Sequence, residues 1–286
     1  MNKTLTRFAL LAAVSSAGLA ACNYTPVPEA PSGRTAYGID SSGQLATFGL
    51  GNAGASYSTR AFTGLGAGET LVDLDFWNVD NALYGLSSSG MLYKIDPATG
   101  AATPDIGGAV GTPAAMDFNP VALRLRVFNT TDDNFRVTPT NSTAATKGTT
   151  ADGKLVYTLL DPKTGTNPTL TAAAYTNSFA GAPVTGDTTA LYSIDAGTDS
   201  LVMHTGAPQF STLNTVGPLN IDAPNGATGF DIVGANEAYL STSNGTTTTL
   251  YSVNLTSGAA TPTATFTGSL KTLAVALPSK AAPLSK

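Results

Sequence analysis

The chain has 286 residues, a net charge of −5, and 42% hydrophobic against 12% charged residues. An acidic balance with no basic run leaves nucleic-acid binding without an electrostatic footing; the apolar content excludes wholesale disorder; a single cysteine excludes a disulfide. The 30 glycines and 17 prolines in so apolar a chain point to short strands joined by many tight turns.

The first segment reads as an export signal. Lys3 and Arg7 precede the uncharged stretch from Phe8 to Ala21, which is shorter than a comfortable membrane span and ends in small residues. Leu19-Ala20-Ala21-Cys22 resembles the lipobox of bacterial lipoproteins. The expectation is a signal peptide over 1–21 and a lipid-anchored Cys22, with the membrane as first partner. Asn23 in place of aspartate favours the outer membrane, by analogy with lipoprotein sorting. Acyl chains contribute about 0.8 kcal/mol per buried CH2, so several together hold a protein stably. Residues 22–33 carry Pro26, Pro28 and Pro31 and read as an extended tether. The folded domain is expected over 34–278, with 279–286 as a flexible tail.

Within that domain one phrase recurs: an apolar residue with Tyr, then Ile or Val with an acid or amide, then a small polar turn. It runs Leu92-Tyr93-Lys94-Ile95-Asp96, Leu191-Tyr192-Ser193-Ile194-Asp195 and Leu250-Tyr251-Ser252-Val253-Asn254. A shorter copy, Ala36-Tyr37-Gly38-Ile39-Asp40, opens the domain, and Leu155-Val156-Tyr157-Thr158-Leu159 reads as a degenerate fifth. A second phrase is a small-residue strand: 71–76, 114–118, 170–175, 228–232 and 273–276. Small side chains suit strands crowded about an axis, and the spacing is that of propeller blades, about 40–50 residues with insertions. Thr140 to Gly165 and Ser178 to Asp187 are the natural insertion sites. Helical periodicity is absent over any long stretch. The first hairpin lacks a small-residue strand before it, and the last such strand lacks a hairpin after it. Pairing these leftovers closes a ring and removes open sheet edges. The expected fold is therefore an all-β propeller of about five blades, closed by its N- and C-terminal strands; a β-sandwich is the alternative.

The run from Met116 to Val127, with Asn134-Phe135-Arg136-Val137-Thr138-Pro139 after it and Asn167 to Ser178 further on, resembles the bacterial family known as domain of unknown function 4394. The resemblance implies a secreted propeller-like domain and brings no activity with it.

Candidate chemistry is sparse. His204 is the one histidine. Met203-His204 is a weak soft-metal pair, because neighbours on a strand face opposite ways. A copper-type superoxide dismutase would need several histidines. Asp132 with Asp133 and Asn134, and Asp195 with Asp199, offer oxygen to calcium, although turn acids are more often structural. No cofactor is expected, and calcium or copper stays open. Asp73, Asp75, Asp117 and Asp231 sit on the small-residue strands and would gather near the axis. Paired carboxylates suit a glycosidase, but acids that repeat with the scaffold more often bind backbone. Arg124, Arg126 and Arg136 cluster within a short span. Guanidinium forks read anions or acidic partners, unless they pair internally with Asp117, Asp132 and Asp133. No nucleophile elbow or phosphate loop is present. Two functions follow: a non-enzymatic envelope lipoprotein that binds a protein or surface component, or an extracytoplasmic enzyme. The enzyme would be a carboxylate-based hydrolase or a metal-dependent oxidoreductase.

Overall fold

The computed structural model describes residues 27–107, 110–183 and 186–280; the leader and Cys22 lie outside them. The chain opens with β1 (Thr35–Ile39), β2 (Leu45–Gly49), a single helical turn α1 (Ala53–Ser56) and β3 (Ser58–Arg60). Blade one is β4 (Leu71–Trp77), β5 (Ala82–Ser87), β6 (Met91–Ile95) and β7 (Ala102–Gly107). Blade two is β8 (Pro113–Asn119), β9 (Arg124–Asn129), β10 (Asp133–Val137) and β11 (Thr149–Lys154). The short β12 (Val156–Tyr157) leads to blade three: β13 (Leu170–Tyr175), β14 (Leu191–Asp195), β15 (Ser200–Thr205) and β16 (Thr212–Pro218). Blade four is β17 (Thr228–Val233), β18 (Glu237–Ser243), β19 (Thr247–Val253) and β20 (Ala260–Thr267). Finally β21 (Ala274–Val275) returns to β1, with Ala36 opposite Val275 and Tyr37 opposite Ala274.

Five separate sheets result, the last ordered β21-β1-β2-β3. The fold is a five-bladed propeller closed by its two ends, not a sandwich. The five small-residue strands are the innermost strand of each blade. Their size has a steric cause: a Cβ added at Gly229 would stand 2.3 Å from the backbone nitrogen of Leu273 in the next blade.

The apolar core is five cores, one between each pair of neighbouring blades. Trp77, Tyr84 and Leu92 of blade one meet Met116, Phe118 and Leu125 of blade two. Ala115 and Phe128 meet Ala173, Tyr175 and Leu191 between blades two and three. Ala174 and Ile194 pack on Phe230 and Ile232, Val233 and Phe266 on Phe48 and Val275, and Ile39 and Ala274 on Leu74 and Phe76. Each fully buried large side chain contributes about 1.5–3 kcal/mol, so stability is spread around the ring.

Three details differ from the sequence reading. The Tyr phrase is not one structural position: it forms the third strand of blades one and four (β6, β19) but the second strand of blade three and of the closing blade (β14, β1). The periodicity of an apolar-Tyr pair before a turn fits either strand, so the phrase marks hairpins without fixing their place. Residues 155–159 make no hairpin; β12 runs parallel to β16 and covers the outer edge of blade three. The supposed insertion at 140–165 accordingly contains β11, the outer strand of blade two.

Turn chemistry follows the sequence. At Asp96-Pro97-Ala98-Thr99-Gly100 the carboxylate accepts from the Ala98 N–H at 2.9 Å, and Gly100 adopts φ 77° with the Ala61 carbonyl where a Cβ would stand. Only glycine meets both demands.

Candidate functional site

Register fixes what faces the axis. Asp75 lies opposite Tyr84, Asp117 opposite Arg126, Ala174 opposite Tyr192, Asp231 opposite Tyr239 and Ala274 opposite Tyr37. One level of the ring thus carries three aspartates and two alanines on the inner strands. Carboxylate oxygens of Asp75, Asp117 and Asp231 all lie within 4.8 Å of one another, and all three residues are buried. Each acid also reaches forward to the next blade. The Phe118 N–H donates to Asp75 at 2.8 Å, the Tyr175 N–H to Asp117 at 3.0 Å and the Val275 N–H to Asp231 at 2.6 Å. Asp73, one step along β4, accepts from the Met116 N–H at 2.8 Å. The acids are inter-blade latches.

Burial raises all four carboxyls, to about 7 for Asp73 and Asp231. Asp75 and Asp117 rise well above the ordinary carboxylate range, from burial first and then from repulsion within the ring. Three oxygens at this spacing have the chemistry of a calcium ligand set. Asp75, however, spends one oxygen on Phe76 and the other on Phe118.

The arginine cluster turns inward. Arg126, 1% exposed, stands where the other four blades carry tyrosine. It donates to Asp152 at 2.7 Å, Asn134 at 2.6 Å, the Tyr175 hydroxyl at 3.1 Å and the carbonyls of Pro208 and Gln209 at 2.9 Å. Arg136 takes the same Asp152 through two bonds of 2.7 Å. Arg124 is buried and bonded to Thr138, Thr150 and two backbone carbonyls. The acid that Arg126 and Arg136 share is Asp152, not the Asp117, Asp132 and Asp133 that the sequence suggested, and Arg124 bonds no acid among the described residues. Asp152 escaped notice because its place on β11, beside both arginines, depends on register.

The metal candidates do not converge. His204 stacks on Phe128 at 5.1 Å. Its Nδ1 faces the Phe210 carbonyl at 2.9 Å, which can only accept, so Nε2 is left to accept from the Ser193 hydroxyl at 2.8 Å. Burial lowers its pKa to about 3. Met203 pairs on the opposite face, against Tyr192 and Asn214. Asp195 accepts from the Thr169 and Gly197 N–H groups, and Asp199 from that of Ala223. Asp133 is held by Lys154 at 2.8 Å, while Asp132 lines a cavity with Asn167.

The two faces of the ring differ. Where the inner strands end, the segment after β13 crosses the axis: Gly234 N–H donates to the Ser178 carbonyl at 2.7 Å, Ala180 N–H to Pro278 at 2.9 Å and Gly181 N–H to Asn78 at 2.7 Å. Asn78 reaches on to the Pro120 carbonyl at 3.1 Å. Residues 278–280, expected to be partly loose tail, are fastened here, Ser279 by a bridge to Ala180 and Lys280 by Asp187 at 2.6 Å. This is the capped face. β1 also starts on it, since Ala276 N–H donates to Thr35 at 2.9 Å. Glu29 and Ser32, in the stretch expected to be a tether, dock beside it on Ala55 and Asn52.

Where the inner strands begin, the axis is open. A funnel of about 290 Å³ is lined by Thr70, Leu71 and Val72, Ala114 and Thr130, Thr171, Asn225 and Gly226, and Lys271 and Thr272, so every blade contributes. A second cavity of about 110 Å³ joins it and shares Ala114, Thr130 and Asn225. The first residues of β4, β8 and β13 share these walls with turn residues such as Thr130, Asn225 and Lys271, and it is the turns, which follow no recurring pattern, that sequence periodicity did not flag.

A family model described as "Domain of unknown function (DUF4394)" matches residues 44–276. No curated protein sequence matches the chain. Among solved structures, a chain of a nidogen/laminin complex is similar at TM-score 0.51 and 14% identity, covering 86% of this chain and 99% of its own. A structural-genomics protein of unknown function from Bacteroides thetaiotaomicron gives 0.44 at 14% identity over 77% of this chain and 52% of its own. The structure titled "YCF48 bound to D1 peptide" gives 0.42 at 11% identity over 87% and 91%. The first likeness carries the fold alone, and the other two carry no argument.

Proposed function

The chain belongs to the DUF4394 family, and from that premise we propose that it is an envelope-anchored propeller whose open face binds a polypeptide partner. The observation that carries this reading is the asymmetry of the ring. Glu29 and Ser32 dock on its capped face, and its opposite face presents a funnel lined by all five blades. Acylated at Cys22, the protein would hold the capped face toward the membrane and the funnel away from it.

The lining supports a binding role. Threonine hydroxyls and the Asn225 amide are suited to hydrogen bonds with an extended backbone. The axial acids, Arg126 and His204 lie elsewhere, buried in latches and inter-blade contacts. Leu159 and Leu160, 90% and 98% exposed, follow β12 on the outer edge of blade three and add an apolar contact at the rim of the ring.

A photocrosslinking residue at Asn225 in the native envelope tests this, with Pro183 on the capped face as control. The expected result is a discrete adduct from position 225 only. Adducts from position 183 alone would overturn the reading. Anchoring has its own check: Cys22→Ser is expected to abolish palmitate labelling and release the protein from membranes.

A further inference from the structure

The smaller open-face cavity holds a carboxylate with no ion pair of its own among the described residues. Its walls include Asn129, Thr130, Asp132, Asn167 and Thr169. Asp132 adopts φ 63°, a left-handed conformation that Asp and Asn tolerate better than most side chains. Its carboxylate is part-buried, accepts from the Asn167 side chain, is attracted by Lys154 and is repelled by Asp133 and Asp195. The nearby cations are committed elsewhere. Lys154 pairs with Asp133 at 2.8 Å and bonds the Thr131 carbonyl at 2.6 Å. Lys163 bonds Thr198 and Ser200 at 2.5 and 2.6 Å. Asp132 forms no ion pair among the described residues.

Lys154 is the one cation acting on Asp132 and it is bonded to Asp133, so two carboxylates share one ammonium here. A part-buried carboxylate so under-compensated is costly, and a cationic ligand recovers that cost. The cavity's volume of about 110 Å³ far exceeds the ~10–15 Å³ that one water needs, so a charged head group fits. Calcium would want 6–8 oxygens and more than one carboxylate as a rule; Asp132 is the one carboxylate on these walls. The shared Ala114, Thr130 and Asn225 join the cavity to the funnel.

We infer that this cavity is a side pocket for the ammonium or guanidinium head of a Lys or Arg side chain, presented by a polypeptide lying in the funnel. The inference rests on the open-face reading given above.

Saturation-transfer NMR on the full-length protein tests it without any partner, using N-acetyl-lysine amide and N-acetyl-arginine amide as probes. Both are expected to bind saturably. N-acetyl-norleucine amide and the Asp132→Asn variant are each expected to bind about tenfold more weakly, the scale of one charge-assisted hydrogen bond. Asparagine keeps the shape and the left-handed backbone. Equal binding of the norleucine probe, unchanged affinity in Asp132→Asn, or displacement of the probes by equimolar Ca²⁺ would each overturn the pocket. An adduct at position 225 alongside a failed titration rejects the pocket and leaves the open-face reading standing.

Discussion

Single residues set an unusual pH response. Asp73, Asp75, Asp117 and Asp231 have folded-state pKa values raised by burial, above the ~3.9 of an unfolded chain. Below that value both states are protonated and nothing is lost. As pH rises through the interval, the unfolded chain gives up protons first, so the fold loses stability. His204 works in the opposite sense: its pKa is lowered to about 3, so stability falls as pH drops below the ordinary ~6.5. Four acids outweigh one histidine. The urea midpoint is expected to be higher at pH 5 than at pH 7.5, with about 1.4 kcal/mol per pH unit for each net proton. Asp117→Asn keeps an acceptor for the Tyr175 N–H and removes a buried charge, so it should flatten that slope and stabilise the protein at pH 7.5. A midpoint lower at pH 5 would refute the raised carboxyls. Arg126→Ala, by contrast, strands Asp152 with one partner and should cost about 3–5 kcal/mol in urea unfolding.

At the scale of elements, the inner strands were legible because crowding demands small residues, and the acids on them were legible because they recur. What could not be read was the outward order of strands. An apolar-Tyr pair before a turn satisfies the half-buried pleat on the second strand or the third, as Tyr192 and Tyr251 demonstrate. The Arg126 position could not be read either, since its equivalence to four tyrosines appears only once Asp117 is set opposite it. Close packing of inner strands gives a direct check. Gly229→Ala would place a Cβ against the Thr272–Leu273 backbone, and overpacking of this kind costs about 1–3 kcal/mol. On the exposed turn after β12, replacing Leu159 and Leu160 with serine should change stability by less than about 0.5 kcal/mol. The same pair of changes should weaken partner capture, and undiminished capture would remove that turn from the binding surface.

For the whole molecule, ring closure is what gives the protein two distinct faces. Five inter-blade cores form a circuit, with aspartate latches at three of its five joints, and β21 completes it by joining the last residues of the domain to the first. The funnel exists only if all five blades meet at one axis, so the functional reading stands on closure. Ala36 and Val275 are direct partners across that joint and both are fully buried. A protein carrying Ala36→Cys and Val275→Cys, with Cys22 replaced by serine, measures closure in one step. Intact mass after mild oxidation is expected to show a single intramolecular disulfide in nearly all molecules. Persistent free thiols in folded, oxidised protein would contradict the closed ring.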